Sequence, residues 1–127
     1  MNDRSRQTIL VVDDQASNRY SLCRILRGAG YPVLEAATGA EALELVPSAA
    51  AVVLDVHLPD IDGFEVCRRM RAMDETRALP VVHVSSVHVT GFAQAKGQRS
   101  GADAYLLNPV GAEQLLPLLD GLLRRAA

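Results

Sequence analysis

The sequence predicts an α/β domain in which one parallel sheet lies between two layers of helices. Three observations carry this: five short apolar bursts recur along the chain, helix-patterned stretches separate them, and the bursts are unbroken rather than alternating. Unbroken Val, Leu and Ile runs are what strands covered on both faces require. Strict strand–helix alternation then implies parallel pairing through crossover helices. At 127 residues the chain suits one domain, residues 1–127, and with 49% hydrophobic but only 4% aromatic residues its core must be aliphatic.

Each element has its own signal. Thr8 to Val12 reads as the first strand, ended by Asp13 and Asp14, and Pro32 to Ala36 as a weaker second. Ala51 to Leu54 is the third, closed by Asp55; Val81 to Val84 the fourth, closed by Ser85 and Ser86; Ala104 to Leu107 the fifth, closed by Asn108 and Pro109. A first helix from Gln15 to Arg27 is stopped by Gly28 and Gly30. Thr38 with Glu41, and Asp62 with Glu65, have the spacing of capping boxes and open the second and third helices. Thr90 to Ser100 is a poor fourth helix, because Gly91 and Gly97 each cost about 1 kcal/mol relative to Ala. The fifth, Gly111 to Arg125, carries Leu115, Leu119 and Leu122 on one stripe and is expected to kink or loosen at Pro117, which removes a backbone hydrogen bond.

Composition excludes several classes. A formal net charge of −2 argues against a nucleic-acid surface. No run approaches the roughly 20 apolar residues of a membrane span, and the N-terminus lacks a signal-peptide pattern, so a cytoplasmic protein is expected. Cys23 and Cys67 are too few for a disulfide scaffold and fall on helices that this topology puts on opposite faces of the sheet. His57, His83 and His88 show no metal-ligand spacing, and His83, inside an apolar strand, is expected to be a core residue.

Doubly wound sheets bind ligands beyond the carboxyl ends of their strands, where the strand order reverses. With the order 2-1-3-4-5, strands 1 and 3 flank that point, so Asp13, Asp14 and Asp55 converge there. Any one of these could be a simple helix cap, as Asp14 before Gln15 suggests; three together point to a site. Clustered carboxylates repel one another unless a cation is present, and an all-oxygen ligand set suits Mg²⁺ better than Zn²⁺. Such a site, flanked by the hydroxyls of Ser85 and Ser86, suits phosphoryl transfer. The phosphate-binding loops GxxxxGK[ST] and GxGxxG are missing, and the acidic pair after the first strand is adjacent, not the Asp-x-Asp that would favour a phosphatase.

Four motifs in order resemble the receiver domain of two-component response regulators: Val11-Val12-Asp13-Asp14, the stretch from Leu54-Asp55 through Pro59 and Asp62-Gly63 to Glu65, the stretch from Leu79-Pro80 to Ser85-Ser86, and Gly101-Ala102-Asp103-Ala104-Tyr105 through Asn108-Pro109. The resemblance spans Thr8 to Leu123. It implies the flavodoxin-like (βα)5 fold and a function in phosphorelay signalling. Asp55 would accept a phosphoryl group from a sensor histidine kinase or a phosphotransfer protein. Asp14, Asp55 and the backbone carbonyl of His57 would hold Mg²⁺, with Asp13 binding mainly through water. Ser85 and the Ser86 N–H would contact the phosphoryl group, Tyr105 would follow Ser85, and the Asn108–Pro109 bond would be cis. Such a domain catalyses only its own phosphorylation and dephosphorylation. It signals to a downstream protein or a linked output domain through the face of the fourth helix, fifth strand and fifth helix, which could also form a homodimer. The chain would be a single-domain regulator or a piece of a longer protein. Asn108 stands where the family has Lys, and Lys96 is the sole lysine. That departure gives a second reading: an interaction module that signals without phosphorylation.

Overall fold

The computed structural model describes residues 3–85 and 101–126. Strands β1 (Ile9–Val12), β2 (Val33–Ala36), β3 (Ala51–Asp55), β4 (Val81–Ser85) and β5 (Ala104–Leu107) form one sheet in the order β2-β1-β3-β4-β5. Every pairing is parallel. Helices α1 (Ala16–Gly28), α2 (Gly39–Leu45), α3 (Gly63–Ala72) and α4 (Ala112–Ala126) cover the sheet, with short 3-10 turns at Arg4–Arg6 and Val46–Ser48. The segment expected as a fourth helix, Thr90 to Ser100, lies outside the described residues together with Ser86, His88 and Lys96. This is the doubly wound, flavodoxin-like arrangement expected.

All residues of β1, β3 and β4 are buried, and their alternation divides them between two cores. Ile9, Val11, Ala51, Val53, Val82 and Val84 face Leu22, Cys23 and Leu26 of α1 and Leu115, Leu119, Leu122 and Leu123 of α4. Leu10, Val12, Val52, Leu54 and Val81 face Ala42 of α2 and Val66, Cys67 and Met70 of α3. Burying an aliphatic side chain of this size stabilises by about 1.5–3 kcal/mol, so the unbroken runs are the main source of stability. The two cysteines lie in different cores, on opposite faces as expected.

The helix starts follow the sequence with one variation. Thr38 Oγ1 accepts from the Glu41 N–H at 3.1 Å, while the Glu41 carboxylate reaches back to the Ala37 N–H at 2.7 Å, one residue before the cap. Asp62 likewise accepts from the Glu65 N–H at 2.8 Å. Glu65 does not complete the box; it turns instead to Arg68 and Arg69 at 2.5 and 2.9 Å, the i+3 and i+4 positions where charge pairs meet on a helix. The Asn108–Pro109 bond is cis, as the resemblance implies.

Two clasps tie distant segments to the sheet. The Arg4 guanidinium bonds both carboxylate oxygens of Asp120 on α4 and also the Ala29 carbonyl, and the Tyr31 hydroxyl donates to Asp120 as well. Arg71, at the end of α3, donates to the carbonyls of Leu79 and Gly101 at 2.6 and 2.9 Å. It also pairs with Asp103, whose carboxylate accepts the Val81 N–H at 2.8 Å.

Helix α4 runs from Ala112 to Ala126 with the exposed Pro117 inside it. The ring removes the N–H that would bond the Glu113 carbonyl, costing about 3 kcal/mol, of which restricting the unfolded chain offsets up to about 1. Pro117→Ala should therefore stabilise the fold by about 2 kcal/mol in urea unfolding, and Leu119→Ala should destabilise it by about 2–5 kcal/mol. An unchanged midpoint for Pro117→Ala would show that this turn has no bond to regain.

Candidate functional site

Register brings the predicted acidic residues together. Val12 pairs with Leu54, so Asp13 and Asp55 follow side by side at the ends of β1 and β3. Asp55 in turn pairs with Val84, which places Ser85 at the adjoining end of β4. Asp13, Asp14 and Asp55 each offer a carboxylate oxygen within 4.8 Å of the others. Asp13 and Asp55 are buried while Asp14 is exposed. Asp14 is not the helix cap: Gln15 holds that position, and its side chain makes no capping hydrogen bond.

Local hydrogen bonds shape this rim. Asp13 Oδ1 accepts from the Gln15 N–H at 2.9 Å, and Asp55 Oδ1 accepts from the His57 N–H at 3.2 Å. Each carboxylate thus turns its own chain away from the strand. Arg19 donates to the Asp13 carbonyl at 2.7 Å and is itself held by Glu35 of β2 at 3.1 Å. Beyond His57, Asp60 accepts from the N–H groups of Gly39 and Ala40 at 2.8 Å each, joining this loop to the start of α2. These backbone bonds, first Gly39, then Ala40 and Ile61, bring the Asp60 carboxyl down to about 2.

The electrostatics are unfavourable as they stand. Burial, followed by the neighbouring charge of Asp13, pushes Asp55 up to about 7; the His57 N–H opposes this and Asp14 adds to it. Burial also raises Asp13. A hard divalent cation would relieve this repulsion, and the donor set of carboxylates with nearby backbone carbonyls fits Mg²⁺.

The remaining predicted residues are placed as follows. Ser85 is buried, and its carbonyl accepts from the Asn108 N–H at 2.8 Å, which ties the ends of β4 and β5 together. The His57 side chain is exposed, while its backbone N–H faces Asp55. Tyr105 pairs in register with His83 and is half-buried, its ring centroid 6.1 Å from His83 and 6.5 Å from Phe64. His83 is a core residue as expected: it is wholly buried, edge-on to Phe64 at 5.0 Å, with Nδ1 3.3 Å from the Leu54 carbonyl. Burial brings it down to about 4, so it is neutral at physiological pH. Sequence reasoning missed Arg19 and Asp60. The lone carboxylate in β2, Glu35, was the available sign of a partner for Arg19; a loop Asp gives none.

A model of the response regulator receiver domain matches residues 9–120. The chain belongs to the response regulator receiver domain family. It is 44% identical over 119 residues to the response regulator MprA of Mycolicibacterium vanbaalenii, covering 92% of this chain and 50% of that protein. The receiver domain thus spans about half the length of the curated relatives it matches. Among solved structures it is similar to chemotaxis protein CheY4 of Vibrio cholerae, with 30% identity and a TM-score of 0.84 over 91% of this chain and 98% of that one. It is also similar to the receiver domain of sensor histidine kinase PA1611 from Pseudomonas aeruginosa, at 27% identity and a TM-score of 0.85 over 93% and 98% of the two chains. That neighbour has magnesium coordinated in its active-site cleft. The match supports two-component signalling, and among the described residues no helix is long and apolar enough to cross a membrane.

The receiver domain's acidic cluster has a pH signature without metal. A carboxyl whose folded pKa is raised from 3.8 to about 7 binds more protons folded than unfolded between those values. Its stability contribution therefore falls as pH rises through that window. In a chelating buffer, Asp55→Asn should gain stability over wild type on going from about pH 4 to about pH 8, with the gain concentrated between the two pKa values. A difference that stays constant across that range in urea titrations would mean that Asp55 is not so perturbed.

Proposed function

We propose that Asp55 accepts a phosphoryl group from the phosphohistidine of a sensor histidine kinase or a phosphotransfer protein. The observation that carries this is the buried Asp55 carboxylate beside Asp13 and Asp14 at the carboxyl ends of adjacent strands. An Asp55 carboxylate oxygen attacks phosphorus, a P–O bond forms as the P–N bond breaks, and the departing imidazole takes a proton from solvent. Hydrolysis of the acyl phosphate restores the carboxylate.

Asp14, Asp55 and the His57 carbonyl would hold Mg²⁺, with Asp13 acting mainly through water; when bound, the ion neutralises carboxylate and phosphoryl charge. The chain's own residues do the rest. The His57 N–H orients the Asp55 carboxylate, and Arg19 fixes the turn that carries Asp13 and Asp14. The Ser85 hydroxyl donates to a phosphoryl oxygen, Ser86 supplies a further N–H, and Tyr105 follows Ser85 inward. Asn108 takes the place of a cation there and donates a neutral hydrogen bond. The signal passes to a downstream protein or a linked output domain through β5 and the helices beside it, a face that also serves for homodimerisation. The setting is the cytoplasm. The intact carboxylates and the family match support this reading over signalling without phosphate.

Incubation with a small acyl phosphate and Mg²⁺ should add one phosphoryl group by intact mass, and Asp55→Ala should abolish it. An undiminished yield in that variant would remove Asp55 from the role. Asn108→Lys should stabilise the phosphorylated form about tenfold or more, since a hydrogen bond to a charged group is worth about 1.5–3 kcal/mol. Its chemical-shift changes around Ser85 and Tyr105 should exceed those of wild type. Equal changes in the two proteins would show that Asn108 already does the work of the cation.

A further inference from the structure

The loop from Val56 to Asp62 is held at both ends by local bonds: the Gly63 N–H to the Val56 carbonyl at 2.8 Å, and the Asp62 cap on Glu65 at 2.8 Å. Between them, Asp60 connects the loop to α2. Two neighbouring donors at the start of α2 have partners of their own. Glu41 N–H goes to Thr38 and Ala37 N–H to Glu41, which leaves Gly39 and Ala40, first-turn N–H groups that no helical carbonyl reaches. The two Asp60 oxygens take one each. Packing strengthens the same junction: a Cβ on Gly39 would come within 2.5 Å of Ile61 Cγ1, so Ile61 seats where α2 has no side chain. His57, three residues before Asp60, has an exposed side chain, and its backbone N–H bonds Asp55.

We infer that Asp60 is a positioning residue for the metal-binding loop: by clasping the first N–H groups of α2, it holds the loop in the shape that aims the His57 carbonyl at the cation. This rests on the reading of Asp14, Asp55 and the His57 carbonyl as the Mg²⁺ ligands. Asp60 touches neither metal nor phosphoryl group. It acts through the loop, as groups that orient metal ligands from behind commonly do.

The test measures Mg²⁺ affinity by calorimetry on the full chain, alongside amide hydrogen exchange without metal. Asp60→Ala should raise the Mg²⁺ Kd about tenfold, the low end for such positioning groups, and speed exchange at Gly39 and Ala40. Asp60→Asn, which keeps one acceptor oxygen, should fall between it and wild type. Phosphorylation of Asp60→Ala by a small acyl phosphate should be slow at low Mg²⁺ and return to the wild-type rate at saturation, which a general loss of structure would not do. Should Asp60→Ala fold poorly, Gly39→Ala disturbs the same junction from α2 by pushing on Ile61 and should weaken Mg²⁺ binding in the same way. Wild-type affinity in these variants despite faster exchange would overturn the inference while leaving the metal site standing, as would a rate deficit that saturation does not repair. If wild type itself binds no Mg²⁺, the ligand assignment falls and this inference falls with it.

Discussion

Charge repulsion among Asp13, Asp14 and Asp55 is the constraint around which this domain is arranged. Two of these carboxylates are buried, and all three bring oxygens within 4.8 Å of one another, a placement that opposes folding when no cation is present. A stable framework must hold them there. The sheet supplies it: β1 and β3 are buried along their whole length and feed two aliphatic cores. Parallel register then forces their carboxyl ends, and the residues that follow, onto one rim. Stability resides in the hydrophobic layers and reactivity at the edge.

Around that edge the polar network acts on backbone more than on side chains. Arg19 bonds the Asp13 carbonyl, Asp13 and Asp55 each accept an N–H two residues ahead, and Asp60 takes two N–H groups of α2. These contacts set the path of the loops that carry the acidic cluster. Glu35 steadies Arg19 from β2, with Arg27 completing a short chain of charges along one edge. The same economy governs the far side of the molecule, where Arg71 ties the turn before β4 to the segment before β5.

Most of the fold was legible because its signals are local or periodic. Unbroken apolar runs named the strands to within a residue, Thr38 and Asp62 marked helix starts, and the leucine stripe of α4 faces the core as its spacing requires. The three strand-end Asp residues were legible because parallel topology leaves strand ends nowhere else to go. What escaped were the contacts between elements distant in sequence. Arg19 with Glu35, Arg4 with Asp120 and Asp60 with Gly39 join surface polar groups that follow no period, and each carries an ordinary solvated reading. Glu65 was misjudged for a related reason: the box spacing was right, but Arg68 and Arg69 offered it a charge, which competes well with a neutral N–H.

Cys23 and Cys67 give the two-core construction a practical consequence. Each is sealed within a different layer, Cys23 beneath α1 and Cys67 beneath α3, and burial pushes the Cys23 thiol up to about 11. A thiol reacts as the exposed thiolate, so a modifying reagent must wait for the layer that hides it to open. Labelling rates at the two positions would therefore time the opening of each layer separately, within one unaltered molecule and without an introduced probe. The chain carries its own pair of clocks, one on either side of the sheet.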